Sequence, residues 1–230
     1  MRLDKFIVSM TDYSRSDIKR LAKVGAVEVD DHYITDTGIK IDSTINTVRV
    51  LGKPISALNK RFFMLNKPQG VICATTDSHQ KTVMDLLDEP NKATLQIVGR
   101  LDKDTTGLVL ITDDGQWNHR VTSPNRQSFK HYSVTLSDPL NESLIEHFAK
   151  GFLLNNETKK TRPARLELVN ARRAELFIQE GKYHQIKRMF AACGNHVTAL
   201  HRQAVGDIIL DSNLAVGTYR PLTTHESELF

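Results

Sequence analysis

Apolar residues at Leu3, Phe6, Ile7 and Met10 recur at i, i+3, i+4 and i+7, the spacing that lines one face of a helix. A second helix is predicted over about residues 15–24. Ser14 stands as its N-cap with the acid Asp17 three residues on, Ile18, Leu21 and Ala22 form its buried stripe, and Gly25 supplies a left-handed stop. On its other side Arg15, Lys19 and Lys23 recur every fourth residue with Arg20 beside them, a ladder of cations opposed only by Asp17. Short alternations follow at Val27-Glu28-Val29, Tyr33-Ile34 and Val48-Arg49-Val50, with an acidic turn at Asp30-Asp31, and these read as small strands. The first unit spans residues 1–55, closing near Gly52-Lys53-Pro54, and a linker over 56–60 carries Ser56 and Asn59.

A second, larger domain over 61–230 has a different rhythm, in which strands separated by polar turns alternate with a few helices. Strands are predicted at 62–65, 71–74, 95–99, 107–112, 129–136, 165–169 and 174–179, and helices near 82–88, 115–121, 141–150 and 184–193. Gly151 and Gly194 stand where the last two helices stop. Because strands so often follow strands, the class is α+β, with a mixed, mainly antiparallel sheet and flanking helices rather than a parallel βαβ fold.

Composition narrows the class. Hydrophobic residues at 40% and charged residues at 25% of 230 exclude wholesale disorder, collagen-like repeats and coiled-coil rods. No run approaches the roughly 18 apolar residues of a membrane span, and Met1-Arg2-Leu3-Asp4-Lys5 is charged where a signal peptide would turn apolar, so a cytoplasmic protein with no membrane partner is expected. Cys73 and Cys193 lie far apart, with no zinc-like spacing, and read as buried thiols. Thirty-one basic against twenty-seven acidic residues gives a net charge of +4, mild evidence for a polyanionic partner.

The segment Val98-Gly99-Arg100-Leu101-Asp102-Lys103-Asp104-Thr105-Thr106-Gly107-Leu108 packs two carboxylates and an arginine between two apolar stretches, where a turn must project side chains. Asp102-x-Asp104-x-Thr106 matches the nucleophile motif of haloacid-dehalogenase-like phosphotransferases, but Gly99-Arg100 interrupts the strand that motif requires. Asp102, Asp104, Thr106, Gly107 and Asp113 also match an EF-hand loop, except that Leu108 to Ile111 read as strand and the usual final Glu is absent.

A third reading rests on resemblance. Gly99-Arg100-Leu101-Asp102-x-Asp104-Thr105-Thr106-Gly107-Leu108 resembles the signature of pseudouridine synthases, and Asn66-Lys67-Pro68-Gln69-Gly70 resembles the accompanying Asn-Lys-Pro-x-Gly segment. Lys130-His131-Tyr132 is similar to the family's Lys-x-Tyr strand, and Glu180 to Met189 to the segment carrying its basic partner. Arg2 to Phe6, Ser14-Arg15-Ser16 and Val24 to Val29 resemble the S4 RNA-binding domain over about 55 residues. The run Tyr183-His184-Gln185-Ile186-Lys187-Arg188-Met189 is most similar to the branch that modifies one uridine of 16S ribosomal RNA, uridine 516, rather than large-subunit RNA.

The resemblance implies a uridine-to-pseudouridine isomerase in which Asp102 assists cleavage at ribose C1′, a carboxylate function shared with glycoside hydrolysis. It implies that Tyr132 stacks on the extruded base and takes part in proton transfer, and that Lys187 favours ionised Asp102. Lysine stands where most of the superfamily has arginine, and lacks the planar two-pronged grip. Arg15, Lys19, Arg20, Lys23, Arg100 and Lys67 are expected to bind RNA, and Asp104 and Thr106 to shape the loop. His184, His119 and His201 are expected to be packing residues. No metal or redox cofactor is implied. The expected partner is 16S rRNA in a partly assembled small-subunit particle, and the expected state is a monomer. The alternatives are a pseudouridine synthase acting on large-subunit rRNA and, from another class, a catalytically silent S4-type RNA-binding assembly factor.

Overall fold

The computed structural model describes all residues except 12, 44, 56–59 and 124–127. The expected linker residues Ser56 and Asn59 therefore lie outside the described residues. The chain divides into two compact units, Met1–Arg61 and Phe62–Phe230.

In the first unit, helices α1 (Leu3–Met10) and α2 (Arg15–Lys23) accompany strands β1 (Val27–Val29), β2 (His32–Tyr33), β3 (Val48–Val50) and β4 (Lys53–Ile55). The strands pair antiparallel in the order β2-β1-β3-β4. Leu3, Phe6, Ile7, Ile18, Ala22, Val27 and Val48 form its core, so the i, i+3, i+4 stripes of both helices do face inward. The α2 cap is reciprocal: the Ser14 hydroxyl accepts from the Asp17 amide, and the Asp17 carboxylate from the Ser14 amide. Gly25 closes the helix at φ +71°. Lys53-Pro54, instead of ending the sheet, adds strand β4 to it; proline is tolerated because β4 lies at the sheet edge.

The second unit is built on one large sheet. Its elements are β5 (Phe62–Lys67), β6 (Gln96–Val98), β7 (Thr106–Thr112), α3 (Gly115–Thr122), β8 (Lys130–Leu136), α4 (Ser143–Lys150), β9 (Arg165–Asn170), β10 (Arg173–Ile178), α5 (Gln185–Ala192), β11 (Val197–Val205), β12 (Ile208–Ile209), β13 (Tyr219–Pro221) and α6 (Thr224–Glu228). The strand order is β13-β5-β7-β11-β8-β10-β9, with β6 added to β7 and β12 to β11. Every pair is antiparallel except β7 with β11, which confirms the mixed, mainly antiparallel α+β class.

Three expectations are corrected. Residues 71–74 form no strand, only an isolated bridge between Ile72 and Thr82. The segment 82–88 is a short 3-10 turn over Val83–Leu86, capped reciprocally by Thr82 and Asp85. The strand β11, at the centre of the sheet, has no counterpart among the expected strands, because His201-Arg202-Gln203 interrupts the apolar alternation. Inside the fold both side chains find partners: Arg202 Nε donates to the Leu108 carbonyl at 2.8 Å, and His201 Nδ1 lies 2.9 Å from Thr106 Oγ1.

One sheet face packs Leu65, Val109, Tyr132, Val134, Leu176 and Leu200 against Phe148 of α4 and Ile186, Met189 and Phe190 of α5. The other packs Met64, Leu108 and Leu110 against Trp117 and Val121 of α3. Packed on both faces, β7 gives the site a rigid floor, and β8 adds Tyr132 to it from the face that carries α4 and α5. Of the two thiols, Cys73 is buried as expected, whereas Cys193 is only half-buried and burial pushes its pKa up.

Candidate active site

The strands β6 and β7 run antiparallel as far as Val98, where the chain leaves the sheet as the loop 99–105. Beyond that point β7 is flanked by β11 instead, at Thr106 and Gly107. The loop therefore rises where one neighbour of β7 replaces another, a seam at which the sheet leaves a gap. Gly107 permits the exchange: at φ +100°, any Cβ there would collide with the backbone carbonyl of Arg202.

The loop is tied down from below. The Thr105 amide donates to the Asp102 carbonyl at 3.1 Å, the Gly70 amide to the Lys103 carbonyl at 2.8 Å, and the Leu101 amide to Cys73 Sγ at 3.3 Å. Lys67 completes the anchorage. Its ammonium donates to the carbonyls of Thr105 (2.8 Å), Pro68 (3.1 Å) and Lys103 (3.3 Å). The residue has 0% accessible surface, and burial lowers its pKa. Lys67 is thus no RNA contact: no face of it is left for a phosphate, and its charge is spent on holding the loop.

The opposite wall is the turn that enters α5. Gln185, almost fully buried, accepts from the Lys182 amide at 2.8 Å and donates to Glu180 at 3.0 Å. Glu157 receives Lys182 at 2.6 Å and Arg188 at 3.2 Å, and these bonds hold its carboxyl below the usual range. So braced, the first turn of α5 projects Lys187 toward the loop.

Lys187 Nζ lies 3.2 Å from Asp102 and 2.5 Å from Asp104. Partial burial pulls its pKa down, but the bonds to Asp104 and Asp102 outweigh this and leave it raised. The bond to Lys187 holds Asp104 below the usual carboxylate range. An arginine could grip one carboxylate with two parallel bonds; the three donors of an ammonium can instead be divided between two acids, and here they are. His184 Nε2 stands 3.5 Å from the other oxygen of Asp102.

These groups border a narrow pocket of about 80 Å³, walled by Asp102, Thr105, Tyr132, Ile178, Lys187 and Leu200, next to an open cleft of about 530 Å³ that shares Arg100, Asp102 and His184. Tyr132 is 6% exposed and belongs to the core while lining the pocket. The Thr105 hydroxyl, buried in the same wall, has no hydrogen-bond partner among the described residues. A narrow slot opening on a wide cleft suits one flat group inserted from a chain that stays outside.

Asp102, Tyr132 and Lys187, far apart in sequence, are therefore brought together, with Arg100 exposed at the mouth. Arg15, Lys19, Arg20 and Lys23 are exposed on α2 in the other unit, and Arg20 pairs with Asp17 at 3.0 Å. Asp104 and His184 exceed the loop-shaping and packing roles expected of them, since both face the Asp102–Lys187 pair. A signal for Asp104 is present in the sequence: a lysine in an arginine position can serve a second acid two residues from the first. Calcium binding is excluded by β7, which turns most of the supposed EF-hand loop into strand. Among the described residues no group of three His, Cys, Asp or Glu side chains is disposed to hold a metal.

Comparison with known proteins places the chain in a family. Residues 61–192 match the model of the RNA pseudouridylate synthase family. The ribosomal small subunit pseudouridine synthase A of Yersinia pestis is 49% identical over 98% of this chain and 96% of its own length. The protein of that name from Escherichia coli K12 is 48% identical over 98% of both chains. A crystal structure described as a pseudouridylate synthase superposes with a TM-score of 0.73 at 42% identity, over the whole of both chains. The loop bearing Asp102, the Tyr132 strand and the Lys187 helix all fall inside the matched region, and the chain belongs to the RNA pseudouridylate synthase family.

Proposed function

We propose that this chain converts one uridine of small-subunit ribosomal RNA to pseudouridine, with uridine 516 of 16S rRNA in a partly assembled particle as its target and the cytoplasm as its place of action. The observation that carries this reading is the narrow pocket in which Asp102 lies 3.2 Å from the Lys187 ammonium, beside the ring of Tyr132. The names of the relatives support the small-subunit substrate.

The reaction breaks the bond from ribose C1′ to N1, turns the uracil, and joins C1′ to C5. N1 gains a proton, C5 loses one, and the atoms balance within the nucleotide. Asp102 faces the positive charge that develops at C1′, as nucleophile or as counter-ion. Lys187 keeps that carboxylate oriented and compensated when RNA closes the cleft. The Tyr132 ring forms a wall for the base, and the unpartnered Thr105 hydroxyl offers it a hydrogen bond. Arg100, at the mouth, receives a neighbouring phosphate. The first unit acts as an S4-type module that docks RNA through Arg15, Lys19, Arg20 and Lys23. A silent assembly factor would have no use for a compensated carboxylate where a small pocket meets an open cleft.

Mapping pseudouridines in ribosomal RNA from cells with and without the gene tests the reading, together with turnover of a 16S fragment by purified protein. One position absent from the map without the gene and restored in vitro is expected. An unchanged pseudouridine map and no turnover in vitro would overturn it.

A further inference from the structure

At the rim of the cleft, Tyr183 is 72% exposed. One of its faces is covered: the His184 imidazole stacks on it with centroids 3.9 Å apart and planes 18° from parallel. His184 reaches in turn to Asp102, 3.5 Å away, so two stacked rings form a step that descends from solvent to the reacting carboxylate. The backbone beneath is fixed, because the Tyr183 carbonyl accepts from Arg188 at 3.1 Å and Arg188 is held by Glu157. His184 adopts the left-handed conformation at φ +46°, which histidine adopts more readily than most non-glycine residues, and this turn places both rings against the cleft.

We propose that Tyr183 and His184 form a stacking platform for an RNA base adjacent to the uridine that enters the pocket. Resting on the isomerase reading above, the proposal adds a nucleotide subsite to it. Extruding a uridine leaves its neighbours without one stacking partner. An aromatic face at the mouth of the slot replaces that partner, and base–aromatic stacking tolerates any base because each has a π face. The imidazole behind Tyr183 stiffens the platform and keeps it beside the slot that Asp102 lines.

The test measures steady-state kinetics on a 16S fragment carrying the target uridine, with the 5′ or the 3′ neighbouring nucleotide made abasic in turn. Tyr183→Ala is expected to raise KM roughly tenfold while kcat stays within about twofold, and Tyr183→Trp to retain activity. One of the two abasic substrates should cost the wild type a similar factor and cost Tyr183→Ala nothing further, since a single stacking interaction cannot be removed twice. His184→Asn keeps a side chain that tolerates the left-handed backbone while removing the ring, and should reproduce part of the KM effect. Melting curves of the variants should coincide with wild type, because Tyr183 is mostly in water. Wild-type kinetics from Tyr183→Ala, or variant and abasic effects that multiply at both positions, would overturn the platform while leaving the isomerase reading intact. An inactive wild type would sink both.

Discussion

The cations of α2 and those of the cleft are the same two residue types used in opposite ways. On α2, Arg15, Lys19, Arg20 and Lys23 stand exposed, and the pair Arg20–Asp17 is of the surface kind that solvent and salt screen. In the cleft, Lys67 is sealed from water against three carbonyls and Lys187 is shared between two carboxylates. Exposed charges attract a polyanion through a field that several residues sum and that salt screens. Charges held at fixed distances act through geometry, and a partner sealed from water, as Lys67 is, costs several times what an exposed one does when left alone. Losses on α2 should therefore be small and additive, and losses in the cleft large and mutually dependent.

The sharpest contrast is Asp102→Asn. The amide keeps the volume but cannot carry the charge facing C1′, so pseudouridine formation should fall by about a thousandfold or more, with RNA affinity nearly unchanged. Retention of a tenth of wild-type turnover would remove Asp102 from the chemistry.

Next is Lys187→Ala, which leaves Asp102 and Asp104 close together with no cation between them; kcat should drop about a hundredfold. Adding Asp104→Asn to that variant should recover part of the loss by removing the repulsion, whereas independent roles would make the two losses multiply. The pair also sets a pH window for stability. Asp104 is held below the usual carboxylate range, so its contribution is present above that range and fades as pH falls through its lowered value. Lys187 is raised, so its contribution persists until pH climbs through a value above the ordinary lysine range. The stability difference between wild type and Asp104→Asn should therefore be flat near neutrality and fade only in strong acid or above the ordinary lysine range. A difference that disappears near pH 6 would show that the pair does not form in solution.

The same division explains what the sequence disclosed. Residues whose role is local were legible: the Ser14–Asp17 cap, the inward stripe of α1, and the loop from Gly99 to Gly107, whose motif named the carboxylate. Residues whose role is created by tertiary packing were not. Lys67 looks like one more cation for phosphate, and only folding shows that carbonyls surround it. The strand β11 is invisible because Arg202 and His201 look like surface residues until Leu108 and Thr106 are placed beside them. Asp104 gains its partner across 83 positions of chain, where no local periodicity carries information, and only the lysine in an arginine position hints at it.

A smaller effect should come from Thr105→Val, which replaces a buried hydroxyl, without a hydrogen-bond partner among the described residues, by a methyl group of the same shape. Since an unmet polar group is costly, stability should rise by up to about 1 kcal/mol, while kcat/KM falls about tenfold as the base is deprived of a hydrogen bond. Thermal melts and kinetics on one preparation decide it. Stability and activity that fall together would mean that Thr105 serves only the fold.

The smallest effects belong to α2, where they test additivity. Replacing Arg15, Lys19 or Lys23 singly by Ala should weaken RNA binding only about threefold, and each cation removed from a phosphate should flatten the plot of log affinity against log salt by roughly 0.7 to 0.9. The triple variant should show the sum, a slope shallower by about two to three, in contrast to the interdependence of Lys187 and Asp104. Stability should move by no more than about 0.5 kcal/mol, because alanine is a good helix former and these side chains are exposed, so unfolding cannot account for weaker binding. Salt titrations of 16S-fragment binding, with melts alongside, make the measurement. Superimposable slopes for wild type and triple variant would mean that α2 presents ordinary solvated surface and that the second unit alone holds the RNA.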